Sequence, residues 1–147
     1  AGLVARWQAK NTGNLIARCE AEAATIAEAL LHLFDCWYDD ALFDSRLEFV
    51  MRTWSLTDAS VAAAMNAADA ERVAAITGLF RRFGYSETEA DTRARTHYLT
   101  QVGYIALRSV ESLDVRMGRI PAYVLTFSGV APTEGEFAAF RVRHPVR

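Results

Sequence analysis

The sequence predicts an all-α fold, a single helical-bundle domain of six to seven helices spanning residues 1–147. Two observations carry that expectation. Alanine, the best helix former, supplies 26 residues, whereas Gly and Pro supply only 8 and 3. Apolar residues also recur three and four positions apart over most of the chain, the spacing that builds one face of a helix. A chain of this length buries roughly 70% of the surface its unfolded form exposes, so one core suffices without metal or disulfide staples.

The first helix, about 3–19, has Leu3, Val4, Trp7, Leu15, Ile16 and Cys19 as apolar positions, with a polar interruption at Asn11, Thr12 and Asn14. In the second, about 23–39, Ala23, Ile26, Ala27, Leu30, Leu31, Phe34, Trp37 and Tyr38 form a continuous stripe. The third, about 44–56, presents Leu47, Val50, Met51 and Trp54. Thr57 and Asp58 can accept hydrogen bonds from the first free N–H groups of a fourth helix, about 59–83, which Gly84 ends.

Ser86-Glu87-Thr88-Glu89 reads as a capping box opening a fifth helix that continues to about Ser112. Its apolar residues, among them Tyr98, Leu99, Val102, Gly103, Ile105, Ala106 and Val110, cover two faces; one can meet the core and the other requires a neighbour. Residues 123–127 have strand propensity, yet a sixth helix is expected there, with Pro121 in or near its first turn and Gly129 and Pro132 ending it. Thr133-Glu134-Gly135-Glu136 is a second capping box for a short last helix, followed by a basic, frayed tail at 141–147.

The 16 basic and 18 acidic residues give a net charge of −2, which argues against nucleic-acid binding by this domain alone. The longest uncharged run, Ile120 to Thr133, has 14 residues and two prolines, short of the about 20 needed to span a bilayer, so no membrane association is expected. No secretory leader is recognisable, and the expected location is cytoplasmic. His32, His97 and His144 do not stand at metal-ligand spacing, Cys19 and Cys36 read as small core residues, and no Gly-rich phosphate loop or nucleophile elbow is present. Neither metal, cofactor nor enzymatic activity is expected.

His97 is expected to be a satisfied structural group and His32 to be solvated. Asp39, Asp40 and Asp44 read as a solvated corner, and Glu48 with Arg52 as a surface helical pair. Arg72 falls on the apolar stripe between Ala68 and Ile76, so it needs a partner, and Glu48 is expected to supply a structural ion pair. Aromatic residues mixed with lone polar groups such as Thr100 and Gln101 have the character of a small-molecule pocket inside a bundle.

The order Leu47-Glu48-Phe49-Val50-Met51-Arg52-Thr53-Trp54, Asp58-Ala59-Ser60-Val61, Asp69-Ala70-Glu71-Arg72, Leu79-Phe80-Arg81-Arg82-Phe83-Gly84-Tyr85 and Glu89-Ala90-Asp91-Thr92-Arg93-Ala94 resembles the C-terminal effector domain of the tetracycline-repressor (TetR) family of transcriptional regulators. That family shows an Arg-x-Trp helix, an Asp-x-x-Arg helix ending in Gly, and a long Ala/Arg-rich helix. Leu3-Val4-Ala5-Arg6-Trp7 resembles the helix that connects to the family's DNA-binding head, so residues 1–20 are expected to be its remnant, the helix-turn-helix head itself being absent. The resemblance implies an effector-sensing, homodimeric repressor domain that touches DNA only through that head. It also implies a dimer bundle from the helices within 86–128, with Leu99, Val102, Gly103, Ala106 and Val110 at the interface. An effector would be held near Phe34, Trp37, Trp54, Tyr98 and Gln101. The alternatives are a free-standing helical small-molecule-binding protein or enzyme, and an oligomerisation module with a solid core.

Overall fold

The computed structural model describes residues 2–108 and 110–146. Its helices are α1 (Leu3–Trp7), a π-helical turn (Gln8–Thr12), α2 (Gly13–Glu20), α3 (Ile26–Tyr38), α4 (Ser45–Ser55), α5 (Ala59–Arg82), α6 (Glu87–Leu107), α7 (Leu113–Ser128) and α8 (Glu134–Arg143). Since α1, the π turn and α2 form one uninterrupted rod, the described residues make up a bundle of seven helical rods. Among the described residues there is no strand.

α3 is the central element. Ten of its thirteen residues are buried, which a helix can sustain only when neighbours cover it on all sides. α2, α7 and α8 pack against it, while α5 lies along α2, α4 and α6. The main core gathers around α3 and includes Leu30, Leu33, Phe34, Phe43, Ile76, Phe80, Val124, Phe127 and Phe140. A smaller core of Trp7, Met51, Val61, Met65 and Ala68 joins α1, α4 and α5.

Between the two cores lies a buried polar cluster. Arg72 and Glu48 are both fully buried; Nη1 of Arg72 is 2.8 Å from Oε2 of Glu48, and Nη2 is 3.1 Å from Oε1. The i,i+4 reading of Glu48 with Arg52 as a solvated face is therefore corrected: Glu48 points inward, and Arg52 reaches it at 3.3 Å from the cluster's edge while pairing with Asp69 at 2.6 Å. Trp7 Nε1 and Asn11 Nδ2 donate to Glu48, at 2.8 and 3.1 Å, and Arg72 Nε donates to Thr12 Oγ1 at 3.0 Å. The guanidinium carbon of Arg72 is 5.3 Å from the ring centroids of both Trp7, in the small core, and Phe43, in the large one.

The π turn follows from this cluster. Residues five apart stand about 140° apart around a regular α-helix, but a π turn bonds i to i+5 and brings them onto one side. Trp7, Asn11 and Thr12 thereby face the same ion pair, which accounts for the polar interruption of the first helix.

Helix boundaries follow the capping residues. Asp44, Asp58 and Thr25 accept N–H bonds at the starts of α4, α5 and α3, and Thr133 with Glu136 forms the full capping box of α8. Ser86 makes only half a box, because Glu89 turns instead to Arg93. Gly84 (φ 91°) and Gly129 (φ 78°) adopt the left-handed conformation that lets α5 and α7 end.

Three expectations are corrected. α6 stops at Leu107, and Ser112 caps α7, so Pro121 sits in the middle of α7 and Val110 lies off the helix in the connection. The tail is not frayed as far as His144, Arg147 lying outside the described residues: the buried carboxylate of Asp35 holds Arg18 at 2.6 Å, Arg143 at 3.1 Å and His144 at 2.6 Å. His32 is half-buried rather than solvated; burial, then the positive charge of Arg18, lowers its pKa.

Removing one member of a buried ion pair leaves the other uncompensated, at a cost of about 3–5 kcal/mol. Arg72→Met is expected to lose that much unfolding free energy in urea titration. Glu48→Gln/Arg72→Met should be more stable than Arg72→Met alone, because the neutral amide needs no counter-charge; a loss under about 1 kcal/mol for Arg72→Met would contradict this account.

Candidate functional site

α3, α6 and α7 line a partly open cavity of about 40 Å³. α3 contributes Phe34, Trp37 and Tyr38; α6 contributes His97, Thr100, Gln101 and Tyr104; α7 contributes Arg116, Ile120, Tyr123 and Phe127. Each set follows helical spacing, so three stripes meet around one space.

The inner end is built on His97, which is buried and packed among aromatic rings. Its imidazole stacks on Phe127 at 4.6 Å with 12° between planes, and tilts against Phe34 at 5.0 Å. Trp37 Nε1 donates to His97 Nε2 at 3.2 Å. An indole N–H can only donate, so Nε2 is the acceptor and the neutral ring carries its proton on Nδ1. That Nδ1–H finds no partner. Burial lowers the pKa of His97 to about 3, keeping the ring neutral. The expectation of a satisfied His97 is thus met at only one of its two nitrogens.

The outer end is polar and charged. The Arg116 guanidinium lies between the rings of Tyr38 and Tyr104, 5.0 and 5.5 Å from their centroids, and donates to Trp37 O at 3.4 Å. Beside it, Arg119 pairs with Glu111 at 2.6 Å and donates to Tyr104 Oη at 2.9 Å, while Tyr104 donates to Glu111. Hydrogen bonds from Arg119 and Tyr104 hold the Glu111 carboxyl down at about 2. Burial pushes the Tyr38 phenol up to about 12, so it remains protonated.

Of the residues expected to hold an effector, Phe34, Trp37 and Gln101 line the cavity. Trp54 does not; it stands on α4, 39% exposed. Tyr98 is adjacent in sequence to His97 but points to α5. Its hydroxyl accepts from Arg72 and Arg52, each at 3.0 Å, and donates to Asp69. The sequence reading missed His97 as a wall residue, Tyr38, Tyr104 and the whole α7 stripe of Arg116, Ile120, Tyr123 and Phe127. Their 4-3-4 spacing becomes legible once α7 starts at Leu113.

The thiols of Cys19 and Cys36 are buried and free, and desolvation raises both pKa values, that of Cys36 to about 12. Among the described residues no group of three His, Cys, Asp or Glu is placed to hold a metal ion, and no helix is long and apolar enough to cross a membrane. Comparison with known protein families, curated proteins and solved structures finds no match.

The buried His97 has a direct consequence for stability. Its pKa is lower folded than unfolded, so the unfolded chain takes up a proton first as pH falls below about 6.5, and stability declines toward acid. Urea unfolding is expected to give about 2 kcal/mol less stability at pH 5 than at pH 7.5 from this group. His97→Asn should remove most of that pH dependence; an unchanged slope would place its origin elsewhere.

Proposed function

We propose that this chain is the effector-sensing and dimerisation domain of a transcriptional regulator of the tetracycline-repressor type, a repressor released from DNA when a small molecule binds. The observation that carries the reading is the pairing of an internal aromatic cavity with two outward apolar stripes on the same two helices. α6 exposes Leu99 (64%) and Ala106, with Gly103 half-exposed between them; α7 exposes Val115 (52%), Gly118, Ala122 and Leu125 (48%). The α6 stripe runs at 4-3 spacing and the α7 stripe at 3-4-3. Such faces on neighbouring helices suit a four-helix dimer bundle, in which small residues allow close approach.

α6 and α7 run antiparallel, as the bonds from Arg93 Nη1, early in α6, to Phe127 O, late in α7, at 3.1 Å and from Arg119 Nη1, in the first half of α7, to Tyr104 Oη, late in α6, at 2.9 Å require. Of the expected interface residues, Leu99, Gly103 and Ala106 share the outward stripe. Val102 is half-buried beside it, facing the groove between α5 and α6, and Val110 is exposed in the α6–α7 connection. A guest in the cavity would touch α6 and α7 from inside, while a second subunit would touch them from outside. Binding would therefore favour one arrangement of the two subunits over another, the condition for coupling two sites. In this reading the α1–α2 rod carries the change toward a DNA-binding head.

Gly103 offers a clean test, because a Cβ placed there meets nothing within 4 Å and the subunit fold should accept a larger side chain. In sedimentation velocity the unaltered chain is expected to be dimeric and Gly103→Arg monomeric, with unchanged helical circular dichroism. Dimers that persist in Gly103→Arg would remove α6 from the interface.

A further inference from the structure

We infer that the cavity takes a planar aromatic carboxylate bearing a second hydrogen-bond acceptor at the end remote from the carboxylate. This names the ligand class of the site and rests on the effector-site reading above. The walls are flat and apolar: Phe34, Trp37, Tyr123 and Phe127 present ring faces or edges that favour a planar guest. Arg116 is the only charged residue among those lining it, and among the described residues it makes no ion pair, so the site has a net positive charge that an anion would neutralise. A cationic guest is disfavoured, since Arg116 already occupies the space between Tyr38 and Tyr104.

The second acceptor follows from the unpartnered Nδ1–H of His97, a buried donor whose desolvation is uncompensated. His97 and Tyr104 stand seven residues apart on α6, about 10 Å along its axis, and Arg116 stacks on Tyr104. The guanidinium fork and the imidazole donor thus mark opposite ends of an elongated site. A phenol or carbonyl oxygen para to a carboxylate matches that layout. At about 40 Å³ the cavity is smaller than the guest; a benzene-sized guest needs roughly 150 Å³. Admitting it requires the half-buried Tyr38, Tyr104, Arg116 and Tyr123 to move outward, since Phe34, Trp37, His97 and Phe127 on the other side are buried.

Isothermal titration of the 147-residue chain with 4-hydroxybenzoate, benzoate and 4-hydroxybenzamide tests both ends. The hydroxy acid is expected to bind at least tenfold tighter than the amide and several-fold tighter than benzoate. Arg116→Gln should abolish the preference for acid over amide, and Arg116→Lys, which keeps the charge but not the planar fork, should retain its direction. His97→Phe should abolish the preference for the hydroxy acid over benzoate. Equal binding of acid and amide overturns the ligand class while leaving the effector site standing, as does a preference that survives in Arg116→Gln. Failure of all three probes to bind overturns the inference, and the regulator reading is then judged separately by the sedimentation test.

Discussion

The buried pair of Arg72 and Glu48 is the constraint on which the rest of the molecule depends. It lies where the two apolar cores meet, and its polar atoms are answered from three elements: Trp7, Asn11 and Thr12 on the first rod, Arg52 on α4 and Tyr98 on α6. A pair of charges in such a place adds little net stability over a well-packed apolar alternative. What it does supply is a demand for particular partners, so each of those helices has one acceptable rotation about its axis. The cores fill the space, and the pair orients what fills it.

α6 transmits that orientation to the cavity. Neighbouring residues on it serve two environments: Tyr98 turns to the ion cluster, and His97, about 100° around the axis, turns to the aromatic cavity. The outward face of the same helix carries Leu99, Gly103 and Ala106. Ion cluster, cavity and exposed stripe thus occupy three faces of one rod, and rotation of α6 would be felt at all three. The polar ends of the cavity are supported differently. His97 is fixed by stacked rings, whereas Arg116 sits between half-buried tyrosines next to a solvated Arg119–Glu111 pair.

Much of the fold was legible because local and tertiary signals agreed. The stripe from Ile26 to Tyr38, the caps at Asp58 and Thr133 and the terminator Gly84 each match the period or the hydrogen bonds they imply. Arg72 was readable for a related reason, since a charge on an apolar stripe must find an opposite charge. Legibility failed where packing overrides propensity. Gly118 and Pro121 are poor helix residues, yet Met117, Ile120, Val124 and Phe127 bury one side of α7 and hold it together through them. Placing the start of α7 too late hid Arg116 and with it the α7 side of the cavity wall. Trp54 and Tyr98 were expected at the cavity from the family resemblance, but α4 does not border it and the hydroxyl of Tyr98 is claimed by arginines.

The π turn makes segment length as consequential as residue identity near the start of the chain. Residues 8–12 hold a surplus position that a regular helix would not contain, and that surplus is what keeps Trp7 in line with Thr12. Removing Ala9 would leave a regular helix with Trp7 and Thr12 four positions apart and still on one face, whereas adding a residue would turn Trp7 about 100° around the axis and away from Glu48. Conservative exchanges within 8–12 alter one contact at a time. An added residue alters the bearing of everything before it, whereas a removed one is absorbed by the return to α-helical spacing, so this short stretch sets how many residues the start of the rod can hold.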